Sequence, residues 1–415
     1  MSPTPRAALL LAAVAALALI VPVPVAVLGV VVLAAATLAD ALAVRTDPGV
    51  SRRLGGILAR GVPAPLEVET AGAGRGRARL RQPVPPFFEV EPAEADDRLD
   101  ALVTARRRGR HPLVEPAVRL TGPLGLGRWY HGGKATSEVV VYPDLPAARR
   151  LAQAVRQGKL GAEGRRVRGP LGLGTDFESV REYAPDDDVR RINWRATARL
   201  GKAMTNQYRI DQNRDVVCLV DTGRLMAAPL CDRSRLDAAL DAVAAVAVVA
   251  DEVGDRCGVV AFDTETRREV RPRRGGARAV VDATFDLEPR TVDSDYELAF
   301  TAVARSKRSF VLLITDLLEE SAARPLLDAV PILARRHVVV VATVADPDVA
   351  DLVSAPPATP VDVYAAAVAY DVLDARAVVS ARLARAGAEV VEAGPDAFSA
   401  ACVTAYLRAK RRARL

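Results

Sequence analysis

The chain has 415 residues, 50% of them hydrophobic but only 4% aromatic, with 26% charged and a formal net charge of +6. Such a chain can bury cores of small aliphatic side chains, which excludes a disordered protein. The positive surplus is mild, and no basic stripe is interleaved with aromatics, so nothing here points to nucleic acid. Cys218, Cys231, Cys257 and Cys402 stand far apart, with no Cys-x-x-Cys and no histidine cluster. That excludes a zinc ribbon and leaves reduced, mostly buried thiols.

From Ala7 to Val44 the only ionisable residue is Asp40, and the run is broken once, by Val21-Pro22-Val23-Pro24-Val25. One helical crossing needs about 20 apolar residues, and prolines disfavour helix at their own position and the one before. The pattern predicts a transmembrane helical hairpin over residues 1–45, with spans near 7–21 and 25–43. A cleaved signal peptide would share the start at Arg6, but a second apolar run directly behind it favours the hairpin. Arg6, Arg45, Arg52, Arg53 and Arg60 flank the two spans. Basic flanks stay inside, so the expectation is a multi-pass plasma-membrane protein with the bulk of the chain cytoplasmic and a basic juxtamembrane linker over 46–61.

Residues 62–145 change character. Pro and Gly recur, and Leu66-Glu67-Val68-Glu69, Ala117-Val118-Arg119-Leu120 and Glu138-Val139-Val140-Val141 alternate or are β-branched, which predicts a small, all-β, sandwich-like domain. A connecting segment follows over 146–214. Gly-Pro-Leu-Gly-Leu-Gly occurs at 122–127 and again at 169–174, continued by Arg128-Trp129 and Thr175-Asp176. A nucleotide loop needs Lys followed by Ser or Thr there, so both copies read as glycine-rich turns.

Over 215–415 strands alternate with helices. The runs 216–220, 258–262, 310–314, 338–342 and 388–391 read as buried strands, with helices near 233–253, 321–336, 361–386 and 396–411. This is the pattern of an open, mainly parallel α/β sheet covered on both faces. Function in such sheets sits beyond the carboxyl ends of the strands, where Asp221 and Asp316 fall. Two carboxylates there could hold Mg²⁺, or each could simply cap a turn.

A strand ending in Asp, a helix behind it and a later strand ending in Thr-Asp resemble the von Willebrand factor A fold. That resemblance implies a metal-ion-dependent adhesion site of Asp-x-Ser-x-Ser, a Thr from another loop and a later Asp. Here Asp221-Thr222-Gly223-Arg224-Leu225 lacks both serines. Asp221 and Asp316 carry over, with Thr291 or Ser294 for the remaining loop. The stretch from Phe177 through Arg181-Glu182-Tyr183, Pro185, Asp187-Asp188, Arg190, Ile192, Trp194 and Ala198-Arg199 narrows this further. It resembles the signature of the bacterial family called domain of unknown function 58. The resemblance implies a membrane hairpin, a β domain and a von Willebrand A-like domain in that order, with a MoxR-type AAA+ ATPase as partner.

Within 177–202, Asp186 to Asp188 can cap a helix with Val189, Ile192, Ala196 and Leu200 on one packed face. Arg181, Arg190 and Arg199 could bridge Glu182 and Asp187 around the Trp194 indole, beside Tyr183. Such a knot would join domains or dock a partner, since Trp and Arg dominate interface hot spots. For catalysis the sequence offers little: His111, His131 and His337 lie beside no nucleophile, which leaves only a carboxylate-based hydrolase using Asp221, Asp263 and Asp316. The expectation is therefore a non-enzymatic, membrane-anchored scaffold, with an Mg²⁺-dependent adhesion module as the alternative.

Overall fold

Residues 1–72, 76–132, 136–158, 176–184, 192–209, 214–304, 307–316 and 320–411 are described by a computed structural model, and they divide into two units, Met1–Tyr142 and Pro143–Leu415. The apolar start of the first unit forms α1, Pro5–Leu17, and α2, Val23–Ala43, with prolines in both first turns, where a missing N–H costs nothing. Among the described residues only α2 is long and apolar enough to cross a membrane. At about 1.5 Å per residue the 13 residues of α1 cover about 20 Å, short of a hydrocarbon core of about 30 Å, so its length does not support the second crossing expected at 7–21.

Both ends of this two-helix element are fastened to one turn. Asp40, in the last turns of α2, is buried, and its carboxylate accepts hydrogen bonds from the backbone N–H of Leu124 at 2.8 Å, Leu126 at 2.7 Å and Gly127 at 2.9 Å. Ahead of α1, the N–H of Thr4 donates to the Leu126 carbonyl at 2.9 Å and its hydroxyl to that of Gly125 at 2.6 Å. The first Gly-Pro-Leu-Gly-Leu-Gly copy is thus a turn, as its sequence implies, and its amides grip an internal carboxylate. Position 127 has to be glycine, because a Cβ there would lie 2.5 Å from the Ala41 nitrogen and the Thr37 carbonyl. The second copy lies outside the described residues.

Three sheets build the rest of this unit from the described residues. One runs Ser2–Pro3, Gly127–Gly132, Ala117–Thr121, Arg77–Arg81, Glu94–Asp96; another Val50–Leu54, Ala64–Thr70, Arg98–Ala105, Phe88–Glu91; the last Ile57–Ala59, Thr136–Tyr142, Gly109–Val114. Alternation aims one side of each strand inward. In Arg98–Ala105, Leu99, Ala101, Val103 and Ala105 are buried while Arg98, Asp100 and Leu102 are not, and the inward set joins Leu66, Val68, Leu80, Leu120 and Val141 in one core. The stretch expected as a linker over 46–61 instead supplies two strands, Val50–Leu54 and Ile57–Ala59. Its arginines misled, because Arg53 sits on the solvent side of a strand and reaches Glu67 on the neighbouring one.

The second unit opens with α3, Leu145–Arg156, which packs on α5, Arg235–Glu252, so this part of the expected connecting segment belongs to the core. Between them lie two paired strands, Asp176–Glu182 and Met204–Arg209, and the short α4, Trp194–Leu200. The main sheet, among the described residues, runs Thr266–Arg273, Arg256–Phe262, Asp215–Asp221, Ser309–Ile314, Val338–Val344, Glu389–Ala393. It is parallel except for the first edge strand, which makes it a mixed sheet. That edge strand, Thr-Arg-Arg-Glu-Val-Arg-Pro-Arg, carries no apolar run and is absent from the sequence expectation. Val216, Cys218 and Val220 face a core shared with α3, α5, α6 at Ala277–Thr284 and α11 at Phe398–Arg411. Val217 and Leu219 face the other, with α7 at Tyr296–Ala304, α8 at Glu320–Ala334 and the end of α10, Pro360–Arg385. A further helix, α9, spans Pro347–Ser354.

The basic end of α11 is partly structural: Lys410 Nζ donates to the buried Asp255 carboxylate at 2.6 Å, and Arg408 pairs with Glu389 at 2.9 Å. His337, just ahead of its strand, is buried, and burial first, then the charges of Arg336 and Arg308, lower its pKa below the usual 6.5. The unfolded chain then takes up the proton first. Stability supplied by neutral His337 is complete above pH 6.5 and drains as pH falls through its lowered folded value. Chemical unfolding between about pH 7 and 5 should therefore show a decline that His337→Leu flattens. In the first unit, Asp40→Ala strands three amide donors and should cost about 3 kcal/mol or more of stability in detergent micelles, with Asp40→Asn intermediate.

Candidate functional site

The carboxyl ends of the parallel strands bring the sequence-predicted carboxylates to one edge, and each is already engaged by protein groups. Asp221 is buried. Its Oδ1 accepts from the Gly223 N–H at 2.8 Å and from the Ser294 hydroxyl; its Oδ2 accepts from Thr315 Oγ1 at 2.6 Å, with the Tyr296 hydroxyl at 3.2 Å. Tyr296 also lies 2.8 Å from Thr315 Oγ1, and burial together with the Asp221 charge pushes its phenol pKa up, so it stays protonated as a donor. Of the two loop candidates, Ser294 reaches Asp221 while Thr291 is exposed. A Cβ at Gly223 would fall 2.3 Å from Ser294 Oγ, so the loop hydroxyl fills the space that a serine at 223 would claim.

Asp316 is held differently. Its oxygens meet Arg235 Nη1 at 3.1 Å and Arg376 Nη2 at 3.2 Å, with Thr343 Oγ1 at 3.3 Å. Arg235 continues to Asp346 at 3.0 Å and to the Val344 carbonyl at 3.2 Å. Both arginines are buried, and the Nε–H of each lacks an acceptor among the described residues. The cluster therefore has donors to spare. Two guanidinium charges against Asp316 repel a dication, so the residues at this edge do not fit the Mg²⁺ site that Asp221 and Asp316 suggested. No group of three or more metal-ligating side chains occurs among the described residues.

Asp263, the third carboxylate, is also buried. Burial alone would raise its pKa, but the hydrogen bond from Arg267, at 2.9 Å, the Glu265 amide and the charges of Arg267 and Arg290 outweigh it and hold the carboxyl below its usual range. A fixed anion locked to a guanidinium is poorly suited to accept and return protons.

Arg235, Arg376, Tyr296 and Thr315 were missed in sequence. The signal was present for the arginines. Arg235 is the one basic residue of a largely apolar helix and stands at the end that disfavours cations, and Arg376 interrupts Ala375-Arg376-Ala377-Val378-Val379.

The Arg-Trp stretch is built on a strand pair and the short α4. Its two strands pair antiparallel, and α4 begins at Trp194, where Asn193 Oδ1 accepts from the Ala196 N–H at 2.9 Å. The helix expected from an Asp186–Asp188 cap is corrected in part: residues 185–191, with Asp187 and Arg190, lie outside the described residues, and Leu200, placed on a packed face, is 62% exposed. Trp194 is 70% exposed, so it is no buried indole at the centre of a knot. Arg181 donates to the Glu182 carbonyl at 3.0 Å, Glu182 pairs with Lys202 at 3.3 Å, and the Tyr183 N–H donates to the Ala203 carbonyl at 2.8 Å. Arg199 lies in the last turn of α4, exposed.

Residues 179–369 match the model of the family described as "Protein of unknown function DUF58". That segment is similar to the DUF58 family. Over 228 residues the chain is 28% identical to the uncharacterized protein Rv1480 of Mycobacterium tuberculosis and to the uncharacterized protein Mb1516 of Mycobacterium bovis, covering 51% of this chain and 70% of each relative. The DUF58 segment begins in the strand Asp176–Glu182, crosses the carboxylate edge and ends in α10.

If the DUF58 edge is held by internal ion pairs, Arg376→Ala should lower stability by about 3–5 kcal/mol, because it uncovers a buried carboxylate. Millimolar Mg²⁺ should leave the melting temperature of the wild type unchanged. A rise with Mg²⁺ that Asp221→Ala abolishes would restore the metal site.

Proposed function

We propose that this DUF58-like protein is a membrane-anchored interaction scaffold that works beside a MoxR-type AAA+ ATPase in assembling or remodelling other complexes, and that its α/β unit is von Willebrand A-like. One observation carries the non-catalytic part: Asp221, Asp263 and Asp316, the buried carboxylates described at this edge of the sheet, are each engaged by hydroxyls, amides or guanidinium groups. The parallel sheet with helices on both faces, and a strand ending at Asp221, support the fold assignment. The ATPase follows from the family resemblance of the Arg-Trp signature; the first glycine-rich turn grips Asp40, and the second is followed by Thr175-Asp176 where a phosphate loop needs Lys and then Ser or Thr.

The anchor in this proposal is α2, with α1 returning beside it. Thr4 and Asp40 bind the same turn, so an inserted α2 carries α1 into the same apolar layer. The arginines that follow favour a cytoplasmic body.

The test is crosslinking of the tagged full-length protein in its native membrane, followed by mass spectrometry. The expected result is enrichment of a MoxR-type ATPase over a control carrying the same tag on an unrelated membrane protein. Absence of that enrichment sinks the partnership, and turnover lost on Asp316→Ala would replace the scaffold with a hydrolase.

A further inference from the structure

The same α/β unit carries two exposed surfaces of opposite character. The first is a knob: α4 with Trp194 70% and Leu200 62% exposed, and Arg195, Arg199 and Lys202 exposed around them. The second is an arm made of α9 and the first half of α10. In α10, Arg376 is level with the strand ends through its bond to Asp316, and Val379 and Leu383 below it are core. The helix runs back toward the start of Glu389–Ala393, so its 16 residues ahead of Arg376, about 24 Å, project past the carboxyl edge of the sheet. Only Ala369 is buried in that stretch, and no residue of α9 is.

An arm of this kind would be expected to be polar. Instead Val361, Tyr364, Val368 and Tyr370 are each more than 60% exposed. The charge is also one-sided: between His337 and Arg376 there is no Lys or Arg, against Asp346, Asp348, Asp351, Asp362, Asp371 and Asp374, in a chain of net charge +6. Its base is rigid, because Arg235 holds Asp346 at the cap of α9 while Arg376 holds α10, both through Asp316. An apolar, acidic surface on a stiff support is a docking surface.

We propose that knob and arm match each other between copies: the Trp194, Arg195 and Arg199 face of one chain seats on the acidic, apolar α9–α10 arm of a second copy. Indole against exposed tyrosines and valines supplies the apolar centre, and Arg against Asp supplies the rim, the composition that dominates interface hot spots. The contact is heterologous, so it closes as a reciprocal pair or runs on into a ring. The knob and most of the arm lie within residues 179–369, the DUF58 match, and Tyr370, Asp371 and Asp374 follow directly behind it. This goes beyond the proposed partnership with an ATPase and stands if that partnership fails.

The test uses the full-length chain carrying two different tags, reconstituted together in neutral-lipid liposomes. One tag should capture the other, more weakly as salt rises. Trp194→Ala and Tyr364→Ala, at opposite faces and both exposed, should each cut capture at least about tenfold without changing the melting temperature. Arg195→Glu/Arg199→Glu alone and Asp371→Arg/Asp374→Arg alone should fail to self-capture, and the two mixed together should recover it, because one contact is then wild type and the other is charge-reversed on both sides. Carbodiimide coupling of Lys202 to the arm in a mixture of ¹⁵N-labelled and unlabelled chains should give mixed-label pairs. No self-capture, capture indifferent to both Trp194→Ala and Tyr364→Ala, or coupling confined to one label would overturn the proposal; so would an arm that binds another protein while the chain does not self-associate.

Discussion

Asp316 is the interaction on which the α/β unit depends at its functional edge. Removing a carboxylate from water is costly, and this one is compensated by two guanidinium groups brought from opposite faces of the sheet, Arg235 on α5 and Arg376 on α10. The arrangement does more than neutralise charge. Through Arg235 it reaches Asp346 and fixes where α9 starts, and through Arg376 it fixes the height at which α10 leaves the core. A position that resembles a cation ligand has become a structural rivet.

The same solution recurs elsewhere in the chain. Asp221 is satisfied by three hydroxyls and one amide, Asp255 by Tyr406 and Lys410, and Asp40 by three amides of one turn. Each buried acid faces donors drawn from distant sequence, which ties elements together at points where helices alone would slide. The cores are otherwise rich in Ala and Val, small side chains that pack closely but specify register weakly. Directional hydrogen bonds supply the specificity that such cores lack.

With the inner carboxylates satisfied, the unit meets its surroundings through surface. The knob and the arm expose aromatic and aliphatic groups beside charge of one sign, and among the described residues neither is covered by its own unit. A scaffold function needs surfaces of this kind on rigid supports, and the supports here are a capped helix on a strand pair and a helix pair riveted at Asp316.

The sequence by itself determined the elements whose signal is local. Buried parallel strands announced themselves as Val216–Val220 and Phe310–Ile314, the apolar run announced α2, and the Arg-Trp stretch announced its family. Periodicity and composition are properties of neighbouring residues, so they survive in one dimension. What only the tertiary structure decided was the meaning of the charges. Asp221 and Asp316 read as a metal pair until Ser294, Thr315, Arg235 and Arg376 arrived from 73, 94, 81 and 60 residues away, respectively. The arginines of 46–61 read as a linker until strand pairing put Arg53 on a solvent face and folding buried Arg60. A charged side chain takes its role from the partner that meets it in space, and no local pattern encodes that partner.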